Sequence, residues 1–257
     1  MQQSPQKNLN KLKNNLITHK DYHPLLQKIS LPFIPDFLDS SFDQSKNKVV
    51  IVGQETSGWG KLKLDSFILG NLSTNELISE SKIRYRNLYE KPPVRSQFLK
   101  FLGKVKEKNN NEYIQWLNFY FFDYNKKSFN LLNSKNKSID LYEHLKDISI
   151  ENLVNQLDRL EPKNIFFLGA YHGNWEQLKL NYVNDEDILN FKESIEGFSV
   201  RFWNKKTLVI RLPHPASRVP NKGKIQQQAL TYFDIFNNQA EQNPEKFKEL
   251  IRDKLLN

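Results

Sequence analysis

Three short apolar runs stand out against a polar background rich in Lys and Asn: Val49-Val50-Ile51-Val52-Gly53, Ile165-Phe166-Phe167-Leu168-Gly169, and Leu208-Val209-Ile210 within residues 207–212. Each is rich in β-branched or aromatic side chains and bounded by Gly, Pro or Asn, as strands buried on both faces of a parallel sheet are. A strongly aromatic stretch over 113–124 predicts one more strand, and residues 199–203 could pair with 207–212. Between the strands, apolar residues recur at helical spacing. Leu9, Leu12 and Leu16 predict an amphipathic helix within 1–30, broken by Leu31-Pro32-Phe33-Ile34-Pro35. Phe98, Leu99, Phe101, Leu102 and Val105 predict a helix over 95–108, and Leu153, Leu157 and Leu160 line one face of a helix over 141–160. Two closing helices are expected over 226–236 and 244–256. Asn109-Asn110-Asn111 reads as a turn, and the polar stretch 61–80 gives no clear element. Short strands alternating with helices predict an α/β fold: a mostly parallel four-stranded sheet with helices on both faces. Residues 1–40 read as an N-terminal helical extension and 41–257 as the α/β domain.

Composition narrows the class. The chain of 257 residues is 38% hydrophobic, with 18 Phe, 10 Tyr and 4 Trp to fill a core. No apolar stretch approaches the roughly 18 residues of a membrane span, and the N-terminus has no apolar signal region, so a cytoplasmic protein is expected. With Cys absent there is no disulfide, no thiolate zinc site and no cysteine-held cluster.

The formal charge of +9 suggests a polyanionic partner. A Lys- and Asn-rich composition can also reflect genome bias, but bias does not segregate charge. Residues 198–228 contain Arg201, Lys205, Lys206, Arg211, Arg218, Lys222 and Lys224 and no Asp or Glu. Residues 81–108 hold nine Lys or Arg against only Glu90 and Glu107, whereas Asp185-Glu186-Asp187 with Glu193 and Glu196 is acidic.

Polar groups gather where two of these strands end. The first strand runs into Gln54-Glu55-Thr56-Ser57-Gly58-Trp59-Gly60, and the last into Pro213-His214-Pro215-Ala216-Ser217-Arg218. In open α/β sheets ligands bind at the carboxyl ends of strands, so Glu55 and His214 become candidates for one cleft. No Gly-x-Gly-x-x-Gly follows the first strand and no Gly-Lys-Ser/Thr loop occurs, which disfavours a nucleotide cradle.

The two segments resemble the signature motifs of the uracil-DNA glycosylase superfamily. Gly53-Gln54-Glu55-Thr56-Ser57 is similar to its first motif, Gly-Gln-Asp-Pro-Tyr. His214-Pro215-Ala216-Ser217-Arg218 is similar to its last, which opens with His-Pro-Ser or His-Pro-Ala. The order and spacing also match, and the resemblance covers about residues 45–235. It implies a three-layer α/β/α sandwich with four core strands. It further implies a monofunctional DNA glycosylase, with no cofactor, that acts on DNA as a monomer. The missing cysteines set the chain apart from branches that carry an iron–sulfur cluster.

Carried over residue by residue, Glu55 stands where the family has its water-activating Asp, and His214 matches the His that hydrogen-bonds the departing base. A carboxylate near the sugar orients water and opposes an oxocarbenium-like charge. A donor aimed at the base anion contributes on the order of 10²-fold in rate. Gln54 matches the Gln over the base pocket. Asn118 is placed to read a base edge through its donor and acceptor, with Asn125 and Asn130 as competing candidates. Trp59, Phe119 or Phe121 could stack on a flipped base, although an aromatic is by default core. Arg218 or Val219 falls where the family inserts a wedge into the duplex. Ser217 suits a phosphate contact, and Lys222 and Lys224 suit salt-dependent affinity, although each Lys reads as readily as a solvated surface residue. Gly169-Ala170-Tyr171-His172-Gly173 closes the third strand, with His172 ranked below His214.

Two departures matter. Glu55 is one methylene longer than the family Asp. Ser57 replaces the Tyr whose ring blocks a C5 substituent, which implies tolerance of 5-substituted pyrimidines. Two further readings stand beside this one. The first is a catalytically inactive DNA-binding module on the same fold. The second is another α/β hydrolase acting on a small acidic substrate, for which no Gly-x-Ser-x-Gly elbow is present.

Overall fold

Buried β-branched and aromatic runs form the sheet that the sequence predicts, and the chain around them divides into two units. The structure is a computed structural model that describes residues 5–37, 39–56, 58–133, 138–169, 174–182, 186–187, 198–238, 245–247 and 249–250. One unit comprises Met1–Phe37, Glu55–Pro93 and Asn118–Gln156; the other comprises Leu38–Gln54, Val94–Leu117 and Leu157–Asn257.

The second unit carries the sheet. Its strands are β1 (Val49–Gly53), β2 (Ile114–Asn118), β3 (Asn164–Leu168), β4 (Glu186–Asp187), β5 (Ser199–Trp203) and β6 (Thr207–Leu212). The order is β2-β1-β3-β6-β5-β4. β1, β3 and β6 run parallel, while β5 and β4 are antiparallel additions. The four-stranded expectation is therefore corrected: among the described residues the sheet has six strands, the last a two-residue edge. The reason lies in the turn before β6. Asn204 and Lys205 both take left-handed φ, at 52° and 56°. Lys206 N donates to Trp203 O at 3.1 Å. That turn returns β5 antiparallel to β6.

Both faces of the sheet are covered. Adjacent residues on a strand point to opposite faces. Phe166 meets Phe101 of α6 (Gln97–Lys108) and Phe233 of α9 (Lys222–Asn237), while Phe167 meets Trp175 of α8 (Asn174–Lys179). All of β1 and β3 is buried. In β6 only Arg211 is partly exposed, and its guanidinium lies 5.1 Å from the Trp175 ring. α6 falls where its apolar spacing predicts and is capped by the Ser96 hydroxyl, which accepts from Leu99 N. α9 begins ahead of its predicted span. Of the closing helix expected over 244–256, residues 245–247 and 249–250 are helical and the others lie outside the described residues.

The first unit is helical. α1 (Pro5–Ile17) buries Leu9, Leu12 and Leu16 and packs on α4 (Leu64–Ile68) and α5 (Thr74–Glu90). The helix falls within the expected region and ends at Ile17. A 3-10 turn at Lys20–Tyr22 and a short α2 (His23–Leu26) follow, with Pro24 in the first turn of α2, where its missing N–H breaks no ladder. α5 arises inside the polar stretch without a predicted element. Its start is a capping box, with Ser73 and Glu76 each bonding the other's backbone N–H. The aromatic stretch 113–124 is strand only as far as Asn118. Beyond it, Phe119, Tyr120 and Phe122 pack as irregular core, with Tyr120 and Phe122 against Phe129 at the start of a 3-10 helix (Phe129–Leu132). α7 (Ile139–Leu160) completes the set and runs across the boundary of the two units.

Candidate functional site

Parallel pairing fixes one edge of the sheet. Gly53 of β1 pairs with Leu168 of β3, which pairs with Leu212 of β6. The carboxyl ends of three parallel strands are thus in register, and Gln54, Gly169 and Pro213 follow at that edge. Gln54 is half-buried there. This is the edge at which ligands enter open α/β sheets.

Within the second unit, β6 leads into Pro213-His214-Pro215, which hold the chain extended. Ser217 N donates to His214 O at 2.8 Å, closing a tight turn. Inside that turn Ala216 N donates to His214 Nδ1 at 3.1 Å. An imidazole that accepts at Nδ1 is neutral and carries its proton on Nε2. Burial, and secondarily the Lys222 ammonium, hold the His214 pKa below the usual imidazole value, so the neutral donor form is favoured. Lys222 Nζ donates to Ser217 O at 2.9 Å, tying the turn to the start of α9. The Ser217 hydroxyl is shielded from solvent and has no partner among the described residues. Asn221, at left-handed φ, places no side chain over the first amides of α9. Arg218 and Lys224 are exposed, and Val219 is half-buried. His214, Ser217 and Lys222 are therefore held together by one turn.

Within the first unit, Glu55 is half-buried. Its Oε2 accepts from Phe129 N at 3.3 Å and from the Ser128 hydroxyl at 3.5 Å. The loop after it is held by a residue that the sequence reading missed. Asp123 is fully buried, and its Oδ2 accepts from Gly58 N at 2.6 Å, Thr56 Oγ1 at 3.2 Å and Trp59 N at 3.3 Å. Its Oδ1 accepts from Lys126 N at 2.9 Å. Gly58 and Gly60 take φ of 75° and 77°, and a Cβ on Gly60 would lie 2.9 Å from Leu31 Cδ1. No spacing rule ties an Asp in Phe-Phe-Asp-Tyr to backbone more than sixty residues earlier. Only its place among buried aromatics marks it as a carboxylate in need of donors.

Trp59 is 3% exposed, bonds Ser81 Oγ through Nε1 at 2.8 Å, and meets the Phe33 ring edge-on. Arg84 covers its other side, with the guanidinium 5.3 Å from the ring and Nη2 donating to Gly58 O at 3.1 Å. Asn118 is the last residue of β2 and 1% exposed. Phe119 and Phe121 are also buried, and Phe119 packs edge-on against Tyr120. Asn125 takes left-handed φ in the turn that links Tyr124 to Lys127, and Asn130 accepts from the Tyr142 hydroxyl at 2.8 Å. Ser57 and His172 lie outside the described residues.

A cavity of about 260 Å³ in the second unit is lined in part by Asp158, Tyr182, Trp203 and Lys206 and contains none of the predicted residues. Among the described residues no group of three His, Asp or Glu could hold a metal ion, and no helix is long and apolar enough to cross a membrane. No protein-family model and no curated protein matches the chain.

Proposed function

We propose that the protein is a monofunctional DNA glycosylase on a uracil-DNA glycosylase-like α/β/α domain. It flips a modified or deaminated pyrimidine from DNA and hydrolyses the N-glycosidic bond. Glu55 orients the attacking water and opposes the positive charge that develops on the sugar. His214 donates its Nε2 proton in a hydrogen bond to the departing base anion. Gln54 faces the base in this reading, while Trp59, Asn118 and Phe119, at 3%, 1% and 0% exposure, serve as core rather than as stacking or reading groups. Ser57, small where the resembling family has Tyr, admits a 5-substituted base. The partner is DNA, met by a monomer in the cytoplasm, in repair or in attack on modified foreign DNA.

The observation that carries this reading is the state of His214. A neutral imidazole fixed through Nδ1 is a ready donor, and its depressed pKa keeps it from becoming an imidazolium at neutral pH. β1 and β6 end at the same edge of the sheet, the edge at which open α/β sheets bind ligands. The open start of α9 and the exposed Arg218 and Lys224, with Lys222 beside them, support phosphate contacts. Val219 or Arg218 supplies the wedge that offsets unstacking.

The second reading, a DNA-binding module without catalysis, draws on one observation: the Glu55 carboxylate is engaged by Phe129 N and Ser128. The test is base release from oligonucleotides carrying uracil, mispaired thymine, 5-hydroxymethylpyrimidines or glucosylated 5-hydroxymethylcytosine. Release of one base type by wild type, greatly slowed in Glu55→Gln, supports the enzyme. Release from none, with DNA binding that weakens steeply with salt, establishes the binding module.

A further inference from the structure

We propose that Asp123 is the positioning residue of the Glu55 loop, an inference that rests on the catalytic reading of Glu55. A carboxylate at 0% exposure is costly unless charge-assisted donors surround it. Asp123 has such donors on both oxygens, and three of the four come from Thr56, Gly58 and Trp59. The same segment reaches Glu55 itself, since Ser128 and Phe129, just beyond the Tyr124–Lys127 turn, donate to its carboxylate. Asp123 thus fixes the backbone immediately after Glu55, while residues five and six positions beyond Asp123 fix the Glu55 side chain. A buried charge retained at this point sets a geometry. The Asp123 oxygens touch the loop, and Glu55 touches the reacting atoms.

Asp123→Asn is nearly isosteric, yet it mismatches in either orientation. One oxygen site faces the donors from Thr56, Gly58 and Trp59, and the other faces Lys126 N, so an NH₂ group meets an N–H whichever way the amide turns.

The experiment has two arms. The first is measured on the free protein by NMR. In Asp123→Asn, amide hydrogen exchange at Gly58, Trp59 and Lys126 is expected to quicken by about tenfold or more, with β3 amides unchanged. The Glu55 side-chain carbonyl resonance should move while that of Glu143 does not. Unchanged exchange at Gly58 and Trp59, or an unmoved Glu55 resonance, overturns the proposal. Thr56→Val removes a single donor and carries the same measurements if Asp123→Asn does not fold.

The second arm is single-turnover base release. Asp123→Asn should slow the chemical step by about 100-fold with DNA affinity within about twofold, as displaced catalytic groups do. The double variant with Glu55→Gln should be no slower than Glu55→Gln alone. Additive losses overturn action through Glu55. Absence of base release by wild type defeats the glycosylase reading only, and the first arm then decides whether Asp123 positions Glu55.

Discussion

The chain after β1 and the chain after β6 both leave a buried strand for a polar loop, yet they are held in different ways. The Glu55–Gly60 loop is gripped from within by the buried Asp123 carboxylate, more than sixty residues away. Trp59 is turned into the core, and two glycines sit at left-handed φ. The loop after Leu212 is held by its own short-range bonds: Ser217 N to His214 O, Ala216 N to His214 Nδ1, and Lys222 Nζ to Ser217 O. The first arrangement uses long-range polar bonds to fix a carboxylate. The second uses proline-restricted backbone and leaves Arg218 and Lys224 exposed, with no partner for the Ser217 hydroxyl among the described residues. The first should therefore be fragile towards substitution and the second tolerant in stability while sensitive in function.

Removing the grip should have the largest effect. Asp123→Ala orphans several buried donors at about 1–3 kcal/mol each, so unfolding free energy should fall by about 3 kcal/mol or more in urea denaturation. Gly60→Ala comes next: the left-handed φ costs about 1–2 kcal/mol, and the contact with Leu31 adds to it. A thermal shift below that of a surface Ala substitution's scatter would contradict the close approach. In the other loop, Ser217→Ala should change stability by no more than about 0.5 kcal/mol, because its hydroxyl has no partner to lose among the described residues. Lys224→Gln, at an exposed cation at the start of α9, should instead weaken binding to duplex DNA.

The smallest effect concerns pH. The His214 pKa is depressed, so the neutral donor persists below the ordinary imidazole value of about 6.5, and the acid limb of the rate profile should fall below that value. Lys222→Gln removes the lesser cause and leaves burial in place. The limb should move upward yet stay under the ordinary value, and a downward move would contradict the assignment.

The difference between the loops also explains what the sequence disclosed. β1, β3 and β6 were legible because a strand buried on both faces is a run of β-branched or aromatic residues, and Val49–Val52 and Phe166–Phe167 are such runs. The restraints on His214 are local, and Pro213 and Pro215 mark them in the sequence. Asp123 was not, because a side chain bonding distant backbone leaves no periodic trace. The aromatic run past Asn118 misled for a related reason: Phe119, Tyr120 and Phe122 suit a strand and an irregular core equally. α5 was hidden by its polar surface, although Ser73 and Glu76 stand at capping-box spacing. β5, by contrast, was legible: 199–203 pairs with 207–212 as expected, through a turn with no Gly in which Asn204 and Lys205 take the left-handed conformation themselves.

The most direct test of the central claim is single-turnover base release from duplex DNA by wild type and His214→Ala across pH. The account predicts release by wild type, with an acid limb below about pH 6.5. It also predicts a loss of about 100-fold in His214→Ala, with that limb abolished and DNA binding kept. Wild-type release that His214→Ala leaves intact, or no release of any pyrimidine by wild type, would contradict it.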